Sequence, residues 1–149
     1  MLPAVEIDEI DYVYKDATAH TNEAGYFVTA YFKDAEAYTA YYRIIGYKDE
    51  IPFTDANSYV ITSDFSFAGK ETSIECGFNY SNGEIARIEL LTCNYDTYLY
   101  YNSLDRQQSA GSGNDFALPP DNIIGNFSNG ALGFFAAVGI SEASIQIQQ

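Results

Sequence analysis

A chain of 149 residues is long enough to bury one substantial core without staples, so a single domain over residues 1–149 is expected. Its net charge of −14, from 21 acidic and 7 basic residues, leaves no basic stripe for phosphates, which argues against a nucleic-acid backbone or an anionic membrane surface as partner. No apolar run is long enough to cross a bilayer, and two cysteines with one histidine make no soft-metal cluster, so neither membrane insertion nor a metal or other cofactor is expected.

The opening, "MLPAVEIDEIDYVY", has no basic or apolar leader region and does not read as a signal peptide. It alternates instead: Val5 and Ile7, then Ile10, Tyr12 and Tyr14 after a shift, the period of a strand with one buried face. The shift reads as a bulge or as the end of one short strand. "GYFVTAYF" and "AYTAYYRIIGY" follow as strands separated by "KDAE", a polar turn of hairpin length. Asp34–Arg43 has some helical character, but its Tyr and Thr content favours a strand. "NSYVITSDFSF", "TSIECGFNY", "EIARIELLTC" and "TYLYYN" continue the series; past a Gly/Ser loop come "FAL", "NIIGNF", "GFFAAVGI" and "SIQIQ". Roughly a dozen short strands divided by turn signals predict an all-β sandwich, barrel or prism.

One hairpin signal occurs twice. Asn79-Tyr80-Ser81-Asn82-Gly83 returns as Asn126-Phe127-Ser128-Asn129-Gly130, each followed by an apolar segment, and "YFKDAEAYTAYYRI" is a weaker earlier copy. A period of about 47 residues over three units points to repeated sheets around an axis, and three suits the faces of a prism better than a propeller. Both copies also contain Asn-x-Ser, a glycosylation acceptor, although turn chemistry alone explains the repeat.

The order of motifs in residues 58–142 resembles the jacalin-related lectins. "KETSIECGFNYSN", Phe116-Ala117-Leu118-Pro119, Ile123-Ile124-Gly125-Asn126-Phe127 and Ala137-Val138-Gly139-Ile140 stand where that family has similar runs. The resemblance implies a β-prism of three Greek-key sheets with a pseudo-threefold repeat, and a non-enzymatic, metal-free carbohydrate-binding function. It also implies a sugar at one end of the prism, held by an amino-terminal Gly and by an Asp in the last hairpin. Here the Asp position is Ala136, no carboxylate lies between Asn122 and Glu142, and the amino-terminal Gly-Gly loop is missing. The resemblance therefore implies a degenerate or rebuilt sugar site.

A rebuilt site is expected at the repeat-equivalent hairpin ends. Asn82 and Asn129 offer donors and acceptors, Gly83, Gly130 and Gly133 bare their amides, and Phe134 offers a face for stacking on a glycan. The competing reading is that Asn-Gly is simply the preferred two-residue turn. Other candidates are weaker. Glu6, Asp8, Glu9 and Asp11 lack the loop pattern of a Ca²⁺ site and read as a solvated face. His20 is alone, Asp64 and Asp115 read as turn residues, and no nucleophile, phosphate-loop or dinucleotide signature is present, so no enzyme is expected. A Cys76–Cys93 bridge is left open. In "YDTYLYY", read as a strand, one Tyr row faces outward, and the alternative function is a structural prism forming a homo-oligomer or binding a protein partner through such rows.

Overall fold

The structure, a computed structural model, describes residues 2–18, 23–53, 60–63, 69–110, 134 and 136–149. In chain order these form β1 (Ile7–Lys15), β2 (Gly25–Lys33), β3 (Tyr41–Lys48), β4 (Ile51–Pro52), β5 (Val60–Ser63), β6 (Glu71–Tyr80), β7 (Ile85–Cys93), α1 (Tyr95–Ala110) and β8 (Gly139–Gln146). Among the described residues the all-β expectation holds apart from one helix. The strands make two antiparallel sheets: β1-β2-β6, here sheet A, and β4-β3-β7-β8, here sheet B, with β5 also pairing β3.

Alternation along each strand builds the core. Val28, Ala30 and Phe32 of β2 and Cys76, Phe78 and Tyr80 of β6 share one buried cluster with Tyr42 and Ile44 of β3 and Ala86, Ile88 and Leu90 of β7. Burying a large apolar side chain of this kind contributes about 1.5–3 kcal/mol, so the inner faces hold the two sheets together. Close packing also fixes composition: a Cβ on Gly46 of β3 would come within 2.5 Å of the Phe78 ring. The amino-terminal segment is stitched to sheet B, where the Val5 N–H donates to Thr92 Oγ1 at 3.0 Å and Ser141 Oγ donates to the Val5 carbonyl at 2.6 Å.

The β1 pattern was legible down to its irregularity, since the register with β2 shifts between Ile7 and Glu9. Other expectations need correction. "FNYSNGEIARIEL" is not a hairpin: β6 belongs to sheet A and β7 to sheet B, so Ser81–Glu84 is a corner between sheets. Asn-Gly still serves its local purpose, with Gly83 at φ +90°, where a side chain would be strained. The connection from β2 to β3 likewise crosses between sheets, and the chain is irregular or turning from Asp34 to Ala40 before β3 begins. Its anchor is Asp34, 3% exposed, which accepts from Tyr42 Oη and, at 2.8 Å, from the Gly69 N–H.

The "TYLYYN" strand is helix α1. Asn94 caps it, its Oδ1 accepting from the Thr97 N–H at 2.9 Å. Tyr98 and Tyr101, three residues apart on one face, pack with Tyr41, Leu91 and Cys93 against the outer side of sheet B. That cover explains why β7 is buried on both faces toward its end. Cys76 and Cys93 are both free, one in the core between the sheets and the other beneath α1.

Candidate functional site

The residues expected to hold a sugar do not converge on one described site. Asn129, Gly130 and Gly133 lie outside the described residues, as do His20, Asp64, Asp115 and the second acceptor Asn126. Asn82 and Gly83 sit at the corner between β6 and β7, where they bind the chain's own last residues. The Gly83 N–H donates to the Ile147 carbonyl at 2.8 Å, and Asn82 Oδ1 accepts from the Gln149 N–H at 3.0 Å. Phe134 is stacked on Tyr100 of α1, ring centroids 4.5 Å apart and planes 8° apart. The Asn79 amide is engaged too, donating to the Ala24 carbonyl at 3.1 Å.

A different surface has the shape of a binding site. The outer face of sheet A carries a groove of about 610 Å³, within the range of small-molecule sites. Tyr31 and Lys33 of β2, Asp8 and Glu9 of β1, and Glu71 and Ser73 of β6 line it. The register explains their meeting: Glu9 is opposite Tyr31, Tyr31 opposite Ser73, and Lys33 opposite Glu71. Because alternation breaks between Ile7 and Glu9, Asp8 and Glu9 are both exposed and both reach the groove.

The lining mixes complementary chemistries. The carboxylates accept strong charge-assisted hydrogen bonds, the Lys33 ammonium donates, and the Ser73 hydroxyl does either. Tyr31, 40% exposed, offers an aromatic face in their midst. A second polar row runs alongside, in which Lys15 bonds both oxygens of Glu75, at 2.6 and 2.7 Å, and lies 5.6 Å from the centre of the Phe27 ring. The combination suits a ligand with several hydroxyls on one edge and an apolar face.

The outer face of sheet B is organised differently, around two arginines. Arg87 bonds Glu50, Glu89 and Glu142 at 3.1, 2.6 and 3.1 Å, and its guanidinium lies 3.7 Å from the centre of the Tyr47 ring. Tyr47 donates to Glu89, and burial together with that carboxylate raises its pKa. Arg43 lies 4.2 Å from the centre of the Tyr101 ring and pairs with Asp105 at 3.3 Å. Burial pushes the Asp105 carboxyl above its ordinary value, with Arg43 opposing the shift. These pairings fasten α1 and β8 to the sheet.

The thiols are poor nucleophiles. Burial pushes Cys76 up to about 12 and Cys93 up to about 11, so both stay protonated at neutral pH. Among the described residues, no group of three or more His, Cys, Asp and Glu side chains is placed to hold a metal ion.

A family model described as "Domain of unknown function (DUF4249)" matches residues 1–144. The chain belongs to this family. Neither a curated protein nor a solved structure matches it. For this DUF4249 domain, then, the groove and its lining are the observations from which a function is to be argued. Sequence reading missed the groove because Asp8, Glu9, Tyr31 and Ser73 come from three strands brought together by register. The available signal was the break in alternation between Ile7 and Ile10.

Proposed function

We propose that this DUF4249 domain is a non-enzymatic carbohydrate-binding module, a divergent relative of the jacalin-related lectins, that takes its saccharide on the outer face of sheet A. The observation that carries this reading is the groove in which Tyr31 is flanked by Asp8, Glu9, Ser73 and Lys33. A pyranose presents apolar C–H groups on one face and hydroxyls around its rim. The Tyr31 ring stacks on the first, and carboxylate, hydroxyl and ammonium groups meet the second. On this reading no metal takes part, and the sugar surface has moved from the hairpin ends to the face of a sheet. The three-sheet prism is the finer architecture that goes with the resemblance.

A glycan array probed with the intact chain, Tyr31→Ala and Asn129→Ala tests the proposal. Selective binding that Tyr31→Ala weakens about tenfold or more, and that Asn129→Ala leaves in place, is the expected result. Loss in Asn129→Ala alone would return the site to the hairpin end. Silence across the array would sink the sugar reading for the glycans tested.

The second reading is an interaction unit that self-associates or binds a protein partner through exposed tyrosines. Val13 and Tyr14, 49% and 52% exposed at the end of edge strand β1, favour it. Against it, the same strand carries Asp8, Glu9 and Asp11, and charge on an edge deters pairing between copies. Of Tyr98 and Tyr100, expected to share one face of a strand, Tyr98 packs between α1 and sheet B and Tyr100 stacks on Phe134.

A further inference from the structure

Asn82-Gly83 carries a covalent reactivity that its surroundings hold in check. In an Asn-Gly pair nothing but hydrogen flanks the glycine nitrogen, so that nitrogen reaches the preceding side-chain carbonyl more easily than in any other dipeptide. Here two contacts oppose the reaction. The Gly83 N–H is committed to the Ile147 carbonyl at 2.8 Å, which keeps its proton in place and fixes its direction. The Asn82 carboxamide is committed to the Gln149 N–H at 3.0 Å, which restrains its rotation toward Gly83 N. The clamping residues are themselves held. Ile147 is fully buried, its N–H donates to the Glu84 carbonyl at 2.9 Å, and Tyr12 Oη bonds the Gln148 carbonyl and N–H at 3.0 and 3.2 Å. Asn82 and Gly83 are otherwise exposed to water.

We infer that Asn82 is a spontaneous deamidation site kept closed by residues Ile147–Gln149. When these residues lift away, the deprotonated Gly83 nitrogen attacks Asn82 Cγ and a C–N bond forms. The Cγ–Nδ2 bond breaks and the side-chain nitrogen leaves as ammonia, giving a succinimide. Water then opens the ring at either carbonyl, leaving aspartate or isoaspartate at position 82. Either product adds a negative charge to a corner where Glu84 already bonds the Ser81 N–H at 2.6 Å. Isoaspartate also lengthens the main chain by one carbon, which moves the Gly83 N–H off the Ile147 carbonyl. Release of Ile147–Gln149 thus becomes permanent, and the corner keeps a one-way record of it.

The sequence supplies its own reference, because Ser81-Asn82-Gly83 and Ser128-Asn129-Gly130 share the same tripeptide. The test follows deamidation at both sites by peptide mapping of the full chain, folded and in urea. In urea the two sites react at similar rates. In the folded chain Asn82 slows by more than about tenfold relative to urea, the effect expected of two restraining hydrogen bonds. Gln149→Pro, which lacks the N–H that holds Asn82, speeds folded-state deamidation at Asn82 by roughly threefold to tenfold. Amide exchange checks that this variant still folds. Equal Asn82 rates in folded and unfolded chain, or no acceleration in folded Gln149→Pro, would overturn the inference.

Discussion

Asp34→Ala is the substitution whose cost follows most directly from the structure. Asp34 is buried on the crossover from β2 to β3, and its two oxygens serve different elements: Tyr42 Oη on β3 and the Gly69 N–H ahead of β6. The Asp34 main-chain N–H donates to the Lys70 carbonyl at 3.1 Å, a bond that the substitution leaves in place. A hydrogen bond to a charged group contributes about 1.5–3 kcal/mol, and truncation also strands two donors, while release of the buried charge offsets part of the loss. A net loss of about 3 kcal/mol is expected, and for a chain of this length that lowers Tm by roughly 6–12 °C. Tyr42→Phe leaves the bond from the Gly69 N–H in place and costs about 1.5–3 kcal/mol. Because the two side chains share one bond, the double variant loses less than the sum of the singles. Urea and thermal unfolding of the four proteins measure this. A Tm for Asp34→Ala within about 2 °C of the parent would refute the reasoning.

Asp49 and Glu50 form the two-residue turn between β3 and β4 with φ of 47° and 67°. Glu50→Gly relieves the left-handed conformation and should raise stability by about 0.5–1 kcal/mol, since the Glu50 carboxylate facing Arg87 is largely exposed. Asp49→Ala instead removes the acceptor that holds the Ile85 N–H at 2.8 Å and should cost about 1–2 kcal/mol; urea midpoints separate the two. Gly46→Ala drives a methyl into the Phe78 ring and should cost about 1–3 kcal/mol, read the same way. Burial raises both thiols above their ordinary value of 9.0 in the folded state. The stability this reflects is complete below pH 9 and is lost as pH climbs toward 11 and 12, so the urea midpoint should fall over that range. Both thiols should be inert to a thiol reagent near neutral pH in the folded chain and reactive in urea.

Period-two patterning in β1, β2, β6 and β7 made most of the sheet content legible, because each of these strands buries one face in a single core. Pairing was less legible. An Asn-Gly turn serves a corner between sheets as well as a hairpin, and only the partners of β6 and β7, remote in sequence, decide between them. Helix α1 was misread because Tyr-rich composition favours strands. Its true period was visible in Tyr95, Tyr98 and Tyr101 following the capping residue Asn94, and β-propensity outweighed it in the reading. The engagement of Asn82 and Gly83 was not legible for a related reason: whether polar turn atoms are available to a ligand depends on what else folds onto them. Here Ile147 and Gln149 do.

The central claim is that a saccharide binds on the outer face of sheet A. Backbone amide shifts of the labelled domain, followed while an array-selected oligosaccharide is added, test it most directly. The account predicts saturable shifts centred on Glu9, Tyr31, Lys33 and Ser73, with Asn82, Gly83 and the residues of α1 unmoved. Shifts centred on the Ser81–Glu84 corner or on Phe134 and Tyr100, with Tyr31 and Ser73 silent, would contradict it.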